Sequence, residues 1–72
     1  MTNERLNTLG DQLFTKIYDN EPETQVDGFL LVENFHQTLL SLNQDLTPND
    51  KEAIAKYVIV PALNEIVSIF NN

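Results

Sequence analysis

Hydrophobic residues recur at helical spacing near the start of the chain, at intervals of three, four and four residues. They are Leu6, Leu9, Leu13 and Ile17. At about 100° per residue, these side chains fall within one narrow arc of a helix. The pattern predicts a helix over residues 3–19. Thr2 or Asn3 can act as its N-cap, and Glu4 lies in the first turn, where a carboxylate complements the helix dipole.

A polar segment, residues 19–28, follows and contains Pro22, which predicts a loop. A second helix is predicted over residues 28–43, with Asp27 available as its N-cap. The residues that share its apolar arc are Leu31, Val32, Phe35, Leu39 and Leu42. Leu30 falls on the polar side of this helix, which indicates either simple exposure or a contact with another element or molecule.

The third helix has the clearest start signal in the sequence. Thr47 is a good N-cap, and Pro48 suits the first helical position because its φ is preset and it lacks an N–H that would be unpaired there. Asp50 stands where its side chain reaches back to the cap residue. Glu52 and Lys56 form an i,i+4 pair in the favourable order. The sequence therefore predicts a helix that begins at residue 48.

Pro61 divides the apolar residues of this third segment into two sets. On a regular helix, Ile54, Tyr57, Val58 and Pro61 share one face, and the apolar residues beyond the proline lie roughly opposite. The proline removes the hydrogen bond that the Tyr57 carbonyl would accept, and it disfavours helical dihedrals at Val60. Two versions are open. One is a single helix kinked at Pro61, which we favour, and the other is a second helix that begins there.

A strand over residues 57–60 agrees with β-propensity, but the chain offers no partner strand. We therefore predict an all-α fold, a small three-helix up-down-up bundle with its third helix kinked or broken at Pro61. The second apolar set comprises Ile59, Leu63, Ile66, Val67 and Phe70. A chain this small cannot easily cover a helix on both sides. We interpret the set as an interaction surface, most simply in a homodimer. The alternative is that it wraps the same core after the bend.

Composition indicates a single small helical domain over residues 1–72. There is no cysteine, which excludes disulfides and thiolate metal sites. The net charge is −7, from four basic and eleven acidic residues, and argues against binding to nucleic acid or to anionic membranes. We find no targeting segment, and the longest apolar run, YVIVPAL, is too short to span a bilayer. A cytoplasmic location is expected.

Candidate chemistry is sparse. His36, the single histidine, falls within the apolar arc of the second helix and has no second histidine or cysteine to complete a zinc site. We interpret it as a histidine at the edge of the core. Asp19, Glu21 and Glu23 match the first, third and fifth positions of a calcium loop, but the sixth is not glycine and the twelfth is not glutamate. We predict no enzyme activity, no cofactor and no metal site.

These features favour a non-catalytic, acidic protein-interaction module, such as a small regulator, inhibitor or immunity-type accessory protein. Three alternatives are open: a structural subunit of a larger bacterial or phage assembly, an acidic nucleic-acid mimic, and a cation-dependent switch. The acids concentrate in two connections, residues 19–27 and 45–50. In an up-down-up bundle those connections lie at opposite ends, which weakens the mimic hypothesis.

Overall fold

The computed structural model describes residues 1–71, and within that range the chain is all-α, with three helices and no strand. Helix α1 spans Asn3–Asn20, α2 spans Gln25–Leu42 and α3 spans Pro48–Phe70. The all-α prediction is confirmed. Each helix packs against the other two.

Two of the predicted N-caps are present. The side chain of Thr2 accepts a hydrogen bond from the backbone N–H of Arg5 at 3.2 Å. At the start of α3, Thr47 accepts from the backbone N–H of Asp50, and the Asp50 carboxylate accepts from the backbone N–H of Thr47, both at 3.1 Å. This reciprocal pair satisfies two backbone donors that the helix itself cannot pair.

Helix α2 begins three residues earlier than predicted, at Gln25, and its N-cap is Thr24 instead of Asp27. The Thr24 hydroxyl accepts from the backbone N–H of Asp27 at 3.1 Å, so Asp27 lies inside the first turn. The loop between α1 and α2 is correspondingly short. Glu21 ends α1 in the left-handed region, at φ 44°, and Pro22 follows it.

Helix α3 continues through Pro61 without a break. It consists of an α-helical section Pro48–Ile54, one π-helical turn Ala55–Ile59 and a second α-helical section Val60–Phe70. The position of Val60 directly before proline predicts that it leaves helical dihedrals. This expectation is wrong, because Val60 has φ −60° and ψ −46° and donates its N–H to the carbonyl of Ala55, five residues back. The two-helix alternative and the strand over residues 57–60 are therefore also wrong.

The π turn changes the phase of everything that follows it. It holds one more residue than an α-helical turn, so the side chains beyond it are rotated back by about 100° relative to a regular helix. As a result Ile59 and Ile66 come onto the same side of α3 as Ile54 and Val58. All four are buried. Adjacent side chains on a regular helix are about 100° apart, so the burial of both Val58 and Ile59 reflects the extra residue in the π turn.

A regular α-helix would place Tyr57 and Pro61 on the same face as the core residues Ile54 and Val58, but the structure keeps Tyr57 and Pro61 out of the core. Both residues are exposed, and Tyr57 retains 58% of its accessible surface. The π turn accounts for the difference, because the predicted faces assume that every turn of the helix is α-helical. The buried members of the two apolar sets of α3, Ile54, Val58, Ile59 and Ile66, form one stripe in the folded chain.

The core is built from α1 and α3, with a smaller contribution from α2. Its buried apolar residues are Leu6, Leu9, Leu13, Ile17, Val32, Ile54, Val58, Ile59, Ala62 and Ile66. The predicted apolar arc of α1 is thus buried in full. On α2 only Val32 and Gly28 are buried, and Gly28 allows the Ile66 side chain to approach the α2 backbone directly.

Candidate functional site

The five residues predicted as an interaction surface divide into two groups in the structure. Ile59 retains 8% of its accessible surface and Ile66 none, so both belong to the protomer's own core. The expectation that the set lies on a free edge is wrong for these two, because the π turn rotates them inward. Leu63, Val67 and Phe70 remain half-buried along one flank of α3, at i, i+4 and i+7.

Helix α2 leaves most of its apolar side chains exposed or only partly covered. Nine of its eighteen residues are aliphatic or aromatic, and only one of them, Val32, is fully buried. Leu42, which the sequence pattern placed in the core arc, retains 77% of its accessible surface. The other half-covered apolar residues of this helix are Phe29, Leu31, Phe35, Leu39 and Leu40. Four of these five, Phe29, Leu31, Phe35 and Leu39, pack against the core and still leave part of their surface exposed.

The outer face of α2 carries two exposed aliphatic residues. Val26 retains 64% of its accessible surface and Leu30 50%. They are four residues apart and therefore neighbours on the helix surface. The sequence pattern had singled out Leu30 as a hydrophobic residue on the polar side, and the structure places it in solvent.

A shallow groove runs between α1 and the other flank of α2. Its lining consists of Leu9, Gln12, Lys16, Phe35, Thr38, Leu39 and Leu42. The surface of the groove is mainly apolar, with Lys16 as its one charged residue. A partner side chain can enter it, but it is open to solvent and does not enclose a small molecule.

The acidic residues of α2 and of the loop before it have no cationic partners. Among residues 1–71 the structure contains one ion pair, between the amino group of Met1 and the Asp50 carboxylate at 2.9 Å. The chain has no Lys or Arg between Ile17 and Asp50, so α2 itself carries only the negative charges of Asp27 and Glu33. These carboxylates are free to interact with cations outside the protomer.

Two ionisable groups have perturbed pKa values. The amino group of Met1, together with the backbone and side chain of Thr47, holds the pKa of Asp50 below its ordinary value. The pKa of Tyr18 is raised chiefly by a hydrogen bond from its phenol to the Glu65 carboxylate, and to a smaller extent by desolvation and by repulsion between a phenolate and Glu65. The two groups lie on different parts of the molecule and form no catalytic pair.

Within residues 1–71 the structure brings no three His, Cys, Asp or Glu side chains together as a potential metal site. His36 is half-buried on α2. The geometry therefore supplies surfaces for macromolecular contact, and no enclosed cluster of reactive groups is formed by the described residues.

Helix α3 is long and apolar enough, by length and composition alone, to cross a membrane. The central helix of a water-soluble bundle meets the same criterion. In this structure Ile54, Val58, Ala62 and Ile66 are completely buried within the protomer, on the side of α3 that packs against α1 and α2.

Comparison with protein-family models, with curated proteins and with solved structures gave no match to this chain.

Proposed function

We propose that this protein is a non-catalytic, acidic interaction module that acts by docking onto another protein. The observation that carries the proposal is the state of α2, an apolar helix with one fully buried large side chain. Contiguous apolar surface of this kind is typical of sites that another macromolecule covers. The acidic residues around it favour association with a partner of opposite charge and increase the rate of encounter.

Self-association is the second form of this proposal. Leu63, Val67 and Phe70 are half-buried and follow one another along a flank of α3. A twofold contact through this flank would cover them and would add to the small core of the chain. In this form of the proposal, the protein is an up-down-up bundle of three helices, with α3 bent near Pro61, and it pairs with a second copy of itself.

Light scattering at concentrations up to tens of micromolar tests self-association directly. A dimer that becomes monomeric on Leu63→Asp substitution, with helix content retained, supports pairing through α3. A wild-type protein that is monomeric throughout contradicts it.

Affinity capture from the native host tests docking onto a different protein. We expect a partner that the wild-type chain retains and that Leu30→Gln releases. Val60→Gln is the matched control, because Val60 lies on α3 and is exposed to 48%, close to the 50% of Leu30. If the wild-type protein is monomeric and retains nothing above the bare-matrix control, the interaction-module proposal fails.

A further inference from the structure

We infer that the outer face of α2, centred on Leu30, is a docking surface for a cationic amphipathic helix of another protein. This inference rests on the proposed function and specifies the chemistry of the partner. We call the surface formed by Val26, Asp27, Leu30 and Glu33 the Leu30 face. All four residues are exposed.

The spacing of these residues produces a narrow apolar stripe with a carboxylate on each side. Val26 precedes Leu30 by four residues and continues the apolar stripe along the helix. Asp27 precedes Leu30 by three residues and Glu33 follows it by three, which places their carboxylates on opposite sides of Leu30, about 60° around the axis each way. A helix that packs on Leu30 therefore passes between two negative charges.

Burial of the two aliphatic side chains imposes a requirement on the partner. A helix that covers Val26 and Leu30 also removes water from the nearby carboxylates of Asp27 and Glu33. Burying a carboxylate is unfavourable unless a cation or hydrogen-bond donor replaces the water. The described residues provide no such cation, because the one ion pair among them is at Asp50, on α3. A partner with Lys or Arg on both sides of its apolar stripe provides both the hydrogen-bond donors and the opposite charge.

A second copy of this chain does not meet that requirement. In a twofold-symmetric contact the same patch faces itself. Two Leu30 faces would bring Asp27 and Glu33 of one protomer against the same residues of the other, and α2 has no Lys or Arg to separate them. Like charges at close range oppose such pairing. The occupant is therefore a different, basic protein segment.

A synthetic peptide of about five helical turns, with leucine at the a and d positions of a heptad and lysine elsewhere, serves as the probe. A second peptide has glutamate in place of every lysine. Binding to the 72-residue chain is measured by calorimetry, and the contact is mapped by amide chemical shifts. We expect the leucine–lysine peptide to bind, with shifts concentrated in α2 around Leu30, and the glutamate peptide not to bind.

Two pairs of variants distinguish binding at the Leu30 face from attraction of the peptide to the overall charge of the protein. Leu30→Gln should weaken binding about tenfold, because it removes a buried leucine from the contact, whereas Val60→Gln should leave it nearly unchanged. Asp27→Asn with Glu33→Gln should weaken binding about fivefold at low salt. Asp11→Asn with Glu52→Gln makes the same change in net charge on α1 and α3, so it should have a much smaller effect.

Equal weakening by both neutralised pairs would overturn the inference, because it would show attraction to the overall charge. Failure of the leucine–lysine peptide to bind overturns it as well. If Leu30→Gln instead dissociates a wild-type dimer, the Leu30 face is a self-contact and the inference fails, while the interaction-module proposal stands. Circular dichroism confirms that each variant is folded.

Discussion

Gly28 of α2 and Ile66 of α3 are so close that a Cβ atom added to Gly28 would lie 2.7 Å from Cγ2 of Ile66. The same Cβ would be 2.8 Å from Cδ1 of Ile66, a side chain with no accessible surface. Because Ile66 is enclosed, it cannot move aside cheaply. Gly28 is therefore required by the packing of two helices, although glycine is unfavourable inside a helix.

Gly28→Ala should destabilise the protein by about 1–2 kcal/mol, because the cost of overpacking exceeds the gain in helix propensity. Gly10→Ala is the matched control, since a Cβ at Gly10 meets nothing within 4 Å. That substitution should stabilise the protein by about 0.5–1 kcal/mol. Urea denaturation measures both changes. An increase in the midpoint for both variants would contradict the tight approach of α2 and α3.

Aspartate substitutions at Ile66 and Leu63 should have opposite outcomes. Ile66→Asp places an unpaired charge in a site with no solvent access, so we expect loss of the cooperative thermal transition. Leu63 is only half-buried, and Leu63→Asp should retain most of the helical circular dichroism signal. A folded Ile66→Asp variant would show that the π turn does not direct Ile66 into the core.

The π turn gives an unusual prediction for deletions. Lys56 is an exposed residue within the turn, so its deletion should convert the π turn into an α-helical one and keep Ile54 and Ile66 on one face. The background for this test carries Pro61→Ala, because proline disfavours a regular helix at this point.

Deletion of Asn64 in the same background is the control. Asn64 is exposed but lies in the regular section Val60–Phe70, so its loss rotates Ile66 out of the core by about 100°. We expect this variant to lose about 2–5 kcal/mol, as for removal of a core isoleucine, and the Lys56 deletion to lose much less. Thermal denaturation compares the two. Equal losses of stability in the two variants would mean that the π turn does not determine which side of α3 carries Ile66.

The lowered pKa of Asp50 predicts acid sensitivity at the start of α3. A carboxyl group with a lower pKa in the folded state stabilises that state above the ordinary pKa of about 3.9. The contribution decreases as the pH falls through the folded-state pKa. Protonation of the Asp50 carboxylate then removes its ion pair with the Met1 amino group and weakens its cap bonds with Thr47.

Asp50→Asn isolates this contribution. At neutral pH the variant should melt at a lower temperature than the wild type, and the difference should shrink as the pH is lowered below about 4. Glu52→Gln, an exposed site two residues away with no ion pair in the structure, should show no such trend. A pH-independent difference for Asp50→Asn would mean that its charge does not contribute.

The start of α2 shows how far local signals extend. Thr24 and Asp27 have the spacing of a capping pattern, a threonine three residues before an acid, and the structure contains this cap, but the sequence prediction took Asp27 itself as the cap. Pro22 and the surrounding polar residues instead suggested a longer loop. The error is one of boundary, where local preferences compete within a few residues.

The functional surface was harder to predict for a physical reason. Periodicity identified apolar residues on α2 and α3, but it could not specify which of them the other helices would cover. Leu42 was assigned to the core and is exposed, while Ile59 and Ile66 were assigned to a free surface and are buried or nearly so. Exposure depends on the relative placement of whole helices, which hydrophobic periodicity does not encode.

The sequence by itself determined the all-α class, the buried face of α1 and the start of α3 at Thr47, because helix periodicity and capping depend on residues within one or two turns. The tertiary structure decided the phase of α3 beyond Tyr57 and the close approach of Gly28 to Ile66. A single π turn accompanies the placement of Val58 and Ile59 together in the core. Whether α3 forms this π turn depends on packing against α1 and α2, so the turn cannot be derived from the spacing of residues along one helix.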